Sequence, residues 1–246
     1  MLIFLFMGWL GLKNILVLIP CYNEEKGIGN VIDAILTSQS RLGCKVSVAI
    51  IDNNCSDKTV KIAKQKGVRI IRERRQGKGY AIMKGFYALP KDVDIIVMID
   101  GDNTYDAGEL PRLIEPLLNG FCDVVTGSRL HGRLDVNSMN GLNRVGNWFL
   151  TFLVRVGYKT NITDVCSGFF AWKKDLILKL RPHLISGSFS IEMEMVTKLA
   201  KLNIDCYSVP VTYRHREGNS KLRPLKDGLS IIYVWSRNLL WKPSKT

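Results

Sequence analysis

Between residues 14 and 126, five short apolar runs alternate with four helix-patterned stretches. The runs cover 14–19, 46–51, 68–71, 93–99 and 123–126; the helical stretches cover 24–36, 57–66, 78–88 and 109–118. Runs such as NILVLI and VSVAII are apolar at nearly every position. A strand buried on one face alternates apolar with polar residues, whereas a strand buried on both faces does not. Strands of the second kind, joined by helices, build a mostly parallel sheet with helices on both faces. The sequence therefore predicts an α/β fold of that kind.

After Ser128 the pattern loosens. Helices are expected at 145–156, 174–180 and 191–201, and a short strand at 206–209. Near the end, Leu225, Leu229, Ile232, Trp235 and Leu239 recur at helical spacing among lysines and arginines. That stripe makes either an interfacial amphipathic helix or a terminal helix docked on the domain. Residues 1–12 are almost wholly apolar. They are shorter than the roughly 20 residues that cross a bilayer, and they lack the basic start and cleavage site of a secretory signal. They either rest in a bilayer interface or pack as an extra core segment. The expected organisation is an apolar segment at 1–13, one large domain at 14–224 and a C-terminal amphipathic helix at 225–246, with no full transmembrane helix.

The 246 residues are 46% hydrophobic, enough to bury a core, and carry a formal net charge of +13. Such a balance suits nucleic acid, an anionic lipid surface or a phosphorylated substrate, set against a merely basic soluble surface. Nucleic acid is excluded as a partner. There is no dense aromatic-plus-basic tract, and the carboxylate motifs below would repel a phosphate backbone unless a metal intervened. The six cysteines, at 21, 44, 55, 122, 166 and 206, form no C-x-x-C pair. They read as reduced thiols in a cytosolic setting, which makes the Asn161-Ile162-Thr163 sequon accidental.

In an open parallel sheet, ligands bind beyond the carboxyl ends of the strands. The distinctive polar clusters fall there: Pro20-Cys21-Tyr22-Asn23-Glu24-Glu25, Asp52-Asn53-Asn54-Cys55-Ser56-Asp57 and Asp100-Gly101-Asp102-Asn103. One such turn is explained by helix capping; three at equivalent strand ends point to convergence on a site. Asp100 and Asp102 follow an apolar strand, and hard oxygen ligands at that spacing suit Mg2+ or Mn2+ with open positions for substrate phosphates.

These three clusters, in this order, resemble family two of the inverting nucleotide-sugar glycosyltransferases. The resemblance implies a GT-A (Rossmann-like nucleotide-diphospho-sugar transferase) fold. Gly77-Lys78-Gly79-Tyr80-Ala81 resembles the family's glycine-rich turn, and Gly127-Ser128-Arg129 follows the fifth strand. Asp164-Val165-Cys166-Ser167-Gly168-Phe169 and Arg216-Glu217-Gly218-Asn219-Ser220-Lys221-Leu222 resemble segments of dolichyl-phosphate sugar synthases. The likeness covers about residues 14–225.

The resemblance implies that Pro20, Tyr22, Glu24, Ile51, Asp52, Asn54, Lys78, Asp100 and Gly101 hold the donor. Asp100, Asp102 and Arg129 would be catalytic. Asp102 would bind the metal, with Thr104 standing where relatives often carry a glutamine that also touches it. Arg129, Ser167, Arg214, Arg216 and Lys221 would meet the acceptor and phosphates; the order Arg214-His215-Arg216 leaves open which arginine faces the ligand. A lipid-phosphate acceptor is already an anion at pH 7 and needs positive charge more than a base. A hydroxyl acceptor needs a general base, for which only His131 and His215 stand out. The implied activity is inverting transfer from a nucleotide-sugar, a UDP-sugar ahead of GDP-mannose, to dolichyl or polyprenyl phosphate. The implied setting is peripheral, at the cytoplasmic face of a membrane. Transfer to a saccharide or protein hydroxyl, and non-catalytic nucleotide-sugar binding, are the alternatives.

Overall fold

A computed structural model of the chain describes residues 12–136, 138–218 and 220–243. Most of the apolar segment expected at 1–13 lies outside these residues. The strands are β1 (Asn14–Cys21), β2 (Lys45–Asp52), β3 (Arg69–Arg72), β4 (Ile95–Met98), β5 (Val124–Ser128), β6 (Phe170–Lys173) and β7 (Tyr207–Pro210). The helices are α1 (Ile28–Ser38), α2 (Thr59–Gln65), α3 (Lys78–Tyr87), α4 (Leu110–Leu118), α5 (Gly141–Tyr158), α6 (Lys174–Leu180), α7 (Ile191–Lys201) and α8 (Pro224–Leu239).

The strands form one sheet in the order β3-β2-β1-β4-β6-β5-β7. β1 lies centrally and parallel to both neighbours, with Val17 opposite Val48 on one side and Val97 on the other. Successive side chains of β1 enter opposite cores. Leu16 and Leu18 pack with α3 and α5–α8, while Ile15, Val17 and Ile19 pack with α1 and α4. Burial on both faces is why the strand runs read as unbroken apolar stretches.

β6 is an addition to the expected pattern. It runs antiparallel between β4 and β5, and its Phe170, Ala171 and Trp172 are fully buried. Four residues directly after a Ser-Gly-Phe turn are too few to show a period. Several boundaries also differ from expectation. The first helix begins at Ile28, because residues 24–27 form a turn in which Gly27 and Ile28 donate to the Glu24 carbonyl. α5 begins at Gly141, because the Asn140 side chain caps the Asn143 N–H at 2.7 Å.

The C-terminal helix is docked. Trp235 Nε1 donates to the Leu153 carbonyl of α5 (3.0 Å), and Asn238 donates to Thr197 of α7 (2.8 Å). Of the expected stripe, Trp235 and Leu239 are half-buried while Leu225 and Leu229 stay exposed. Among the described residues no helix is long and apolar enough to cross a membrane.

Candidate active site

The carboxyl ends of β1, β2 and β4 deliver three turns to one edge of the sheet. Each contains an asparagine in the left-handed region: Asn23 (φ 56°), Asn54 (φ 65°) and Asn103 (φ 62°). Asparagine adopts that conformation more readily than other side-chain-bearing residues, so each strand can reverse sharply into its helix. The turns are laced together. Asn23 Oδ1 accepts from the Ser56 N–H (2.8 Å), and the Glu24 N–H donates to Thr59 Oγ1 (2.8 Å). Asn53 Oδ1 accepts from the Gly77 N–H (2.8 Å), which ties in the glycine-rich turn. Gly77 has φ 143°, and a side chain there would strike the Gly187 carbonyl.

A cavity of about 270 Å³ opens where the turns meet, lined by Pro20, Tyr22, Glu24, Lys78, Asp100, Gly101 and Asp102 from the first half. Arg216 and Lys221 arrive from the second half. Arg216 reaches Asp102 Oδ2 (2.8 Å) and Glu24 Oε1 (2.9 Å). Lys221 Nζ lies 2.7 Å from the same Glu24 oxygen. Arg214 turns the other way, to Asp106 (2.5 Å), so Arg216 is the arginine that faces the cavity.

Other expected residues stand behind the wall. The Asp52 carboxylate accepts from the Cys55 N–H (2.9 Å) and lies 3.9 Å from Arg72; Ile51 is core. Asn54 turns to the Arg74 carbonyl (2.9 Å). Arg129 is spent on Asp164 in a two-pronged pair (2.7 and 2.8 Å) and on the Cys166 carbonyl (2.7 Å). Ser167 Oγ donates to the Gly127 carbonyl (2.6 Å). Thr104 Oγ1 donates to Asp102 Oδ1 (2.6 Å), fixing that carboxylate. His131 sits in a separate groove on α5.

The sequence reading missed Glu192. Lys78 Nζ lies 2.7 Å from both Asp100 Oδ1 and Glu192 Oε1. Burial pulls the Lys78 ammonium pKa down, but Asp100 and Glu192 outweigh it and hold the pKa above the usual lysine value. Burial raises Glu192 despite the pull of Lys78, and it raises Glu24 despite Lys221 and Arg216. The available signal was IEMEMV, two carboxylates in an otherwise apolar stretch of six residues.

Among the described residues, no three His, Cys, Asp or Glu side chains form a cage that could hold a metal unaided. Asp102, with Asp100 beside it, fits a cation that takes the rest of its shell from substrate phosphates, as Mg2+ commonly does. Among the described residues the buried Arg216 Nε has no hydrogen-bond partner, which suits an anion arriving at the same place.

An open α/β sheet with an acidic, cation-lined cavity at the ends of β1, β2 and β4 is the arrangement of the GT-A class of glycosyltransferases. The chain belongs to glycosyl transferase family 2, whose family model matches residues 16–181. It is 31% identical over 213 residues to the low-salt glycan biosynthesis hexosyltransferase Agl6 of Haloferax volcanii, covering 86% of this chain and 50% of that protein. The chain thus spans half the length of Agl6. It is 29% identical over 221 residues to the dolichyl-phosphate hexose transferase of the same organism, covering 89% of this chain and 90% of the other. Its fold is similar to that of glucosyl-3-phosphoglycerate synthase from Mycobacterium tuberculosis in complex with Mn2+, uridine-diphosphate and phosphoglyceric acid. The TM-score is 0.71 at 22% identity, covering 95% of this chain and 80% of that one.

Proposed function

We propose that this family-two transferase moves a hexose or N-acetylhexosamine from a nucleotide-diphosphate sugar to dolichyl or another polyprenyl phosphate, with inversion. The donor is a UDP-sugar ahead of GDP-mannose. The observation that carries this reading is the meeting of Asp100, Asp102, Lys78, Arg216 and Lys221 around one cavity. The relative named as a dolichyl-phosphate hexose transferase supports the acceptor class. The uridine-diphosphate and Mn2+ held by the M. tuberculosis enzyme support the donor and the cation.

On this reading Pro20, Tyr22 and Glu24 hold the base and ribose, and Gly101 forms the cavity wall beside them. Ile51, Asp52 and Asn54 shape the neighbouring turn from behind. Asp102, oriented by Thr104, would hold Mg2+ or Mn2+ together with the diphosphate; such an ion neutralises the leaving group when bound. Arg216 and Lys221 offset the mutual repulsion of donor and acceptor phosphates. Lys78, 2.7 Å from Asp100 Oδ1, holds that carboxylate in place against the donor sugar. Arg129 and Ser167 act as positioning residues, Arg129 through Asp164 and Ser167 through the turn that carries Gly168. Arg214 fastens the loop through Asp106. The chain would work as a peripheral protein at the cytoplasmic face.

The test is a screen of nucleotide-sugars against a short-chain polyprenyl phosphate, with and without EDTA. The expected product is organic-soluble and acid-labile, and EDTA abolishes it. Failure of every donor to release nucleoside diphosphate in Mg2+ or Mn2+ overturns the reading.

Glu192 favours a second reading, transfer to a saccharide or protein hydroxyl. Its carboxylate lies 2.7 Å from Lys78, a cavity-lining residue that also reaches Asp100, which makes it the candidate general base. A water-soluble, acid-stable product, lost in Glu192→Gln, selects that reading.

A further inference from the structure

α5 is apolar on two opposite sides. Leu150 and Val154 on one side enter the core beside α7 and α8. The other side carries Leu142, Val145, Trp148, Phe149, Phe152 and Val156 at intervals of three and four residues, each 45–72% exposed. The Trp148 and Phe152 rings stack 5.9 Å apart with an interplanar angle of 11°. A surface helix of a globular domain ordinarily turns polar residues outward, and a contiguous exposed apolar face marks an interaction site. Arg144, Arg155 and Lys159 line the same groove as Trp148 and Phe152. α5 contains no aspartate or glutamate. α8, packed beside α5 through Trp235, adds exposed Leu225, Leu229 and Tyr233.

We propose that this outward face of α5 docks on an anionic lipid bilayer. Three occupants could cover an apolar face of this kind, and charge separates them. Residues 1–11 contain no charged side chain, so they bring no carboxylate to Arg144, Arg155 and Lys159. A second copy related by a two-fold axis brings the same cations against themselves. An anionic bilayer meets both halves of the surface. The apolar stripe enters the acyl boundary, Trp148 sits at headgroup level, and the cations meet phosphates. On its opposite side α5 presents Asn147, which donates to Asp164 (2.7 Å), the partner of Arg129. This gives the peripheral placement proposed above a definite surface, and it rests on that surface and not on the reaction.

The test is co-sedimentation of the full chain with phosphatidylcholine vesicles, with and without phosphatidylglycerol, at low and high salt. Vesicles containing phosphatidylglycerol are expected to bind at least tenfold more tightly, less so at high salt. Arg144→Gln and Arg155→Gln should each weaken that binding roughly fivefold, and Val145→Asp should remove it. All three positions are exposed, so thermal melting should stay unchanged. Brominated lipids should quench the fluorescence of the wild type more than that of Trp148→Phe, a readout that needs no disruptive variant. Equal quenching, binding indifferent to phosphatidylglycerol, or variants that sediment like the wild type overturn the proposal. So does a dimer that Val145→Asp splits without any vesicle binding. A chain that docks yet transfers no sugar leaves this surface standing and removes the proposed reaction.

Discussion

Gly168 follows Ser167 directly, and its N–H donates to the buried Tyr105 hydroxyl (2.6 Å). A β-carbon built on Gly168 would stand 2.0 Å from Asp100 Oδ2, and the three nearest atoms all belong to that one carboxylate. Gly168→Ala is therefore a perturbation of Asp100, delivered without substituting Asp100 or changing any charge. Gly168 has no positive φ, so alanine meets no backbone objection. Ordinary contact begins at 3.4 Å, which leaves a shortfall of about 1.4 Å that the carboxylate must supply by turning away. The turn stretches its 2.7 Å pair with Lys78.

Stability and catalysis should respond unequally to this change. A short side chain at a cavity edge can rotate, so the overpacking cost falls near the low end of its range, about 1 kcal/mol. In a domain of this size that lowers Tm by roughly 2–4 °C. Catalysis depends on position, and a misplacement of about 1 Å costs on the order of 10²-fold in rate. The assay pairs kcat for nucleoside-diphosphate release with thermal melting. A kcat within threefold of wild type shows that the place of Asp100 does not matter. A fall in Tm of more than about 10 °C shows that the methyl group displaced backbone instead. Either result refutes the reasoning.

Three further outcomes follow from the same geometry. Asp102→Ala should lower transfer by at least about 10³-fold and abolish its response to Mg2+ or Mn2+, checked by initial rates across a metal titration. Lys221→Ala should raise KM for the lipid phosphate more than KM for the donor, checked by varying both substrates; equal increases count against its place on the acceptor side. For Glu194, burial pushes the pKa up, but Lys198 and the Ser186 and Ile185 N–H groups outweigh that and hold it below its ordinary 4.5. Its folded pKa thus lies below its unfolded one. The stability it contributes is present above pH 4.5 and is lost as pH falls through the folded value. Glu194→Gln should therefore show a shallower loss of Tm between about pH 5 and pH 3 than the wild type.

The first half of the fold was legible because β1, β2 and β4 are buried on both faces and turn in polar clusters. Apolar runs and turn chemistry then mark the same boundaries. β6 was not legible: Phe170–Lys173 gains its strand character only by filling the gap between β4 and β5. In the site, residues on the turns themselves could be read, since Tyr22, Glu24, Asp100 and Asp102 project from strand ends into the cavity. Residues one layer back could not. Arg129 lies beside the site in sequence pattern, yet Asp164 and the Cys166 carbonyl occupy its guanidinium. That contact joins residues 35 or more positions apart, so no local spacing reveals it. Glu192 was hidden in the same way, its role set by Lys78 from the opposite half of the chain.

Arg216 links these observations to ligand binding. It spans Asp102 Oδ2 (2.8 Å) and Glu24 Oε1 (2.9 Å), while Lys221 joins Glu24 (2.7 Å) and the Asn23 carbonyl (2.8 Å). The loop that carries them is thus held across the cavity by charge pairs to the first half of the chain. A divalent cation at Asp102 would compete for the oxygen that Arg216 holds. A double and a single positive charge about 4 Å apart repel by roughly 8 kcal/mol at an effective dielectric constant near 20. Arg216 and the cation therefore cannot both sit on Asp102 unless the donor diphosphate intervenes and takes the guanidinium. Removing the guanidinium charge should then separate two affinities that a purely structural arginine would move together. Arg216→Gln is expected to bind Mn2+ alone more tightly than wild type, read by electron paramagnetic resonance without any turnover. The same variant is expected to bind nucleotide-sugar with Mn2+ more weakly, read by calorimetry. A variant that weakens both by the same factor shows that Arg216 only holds the loop in place, and the competition at Asp102 is then refuted.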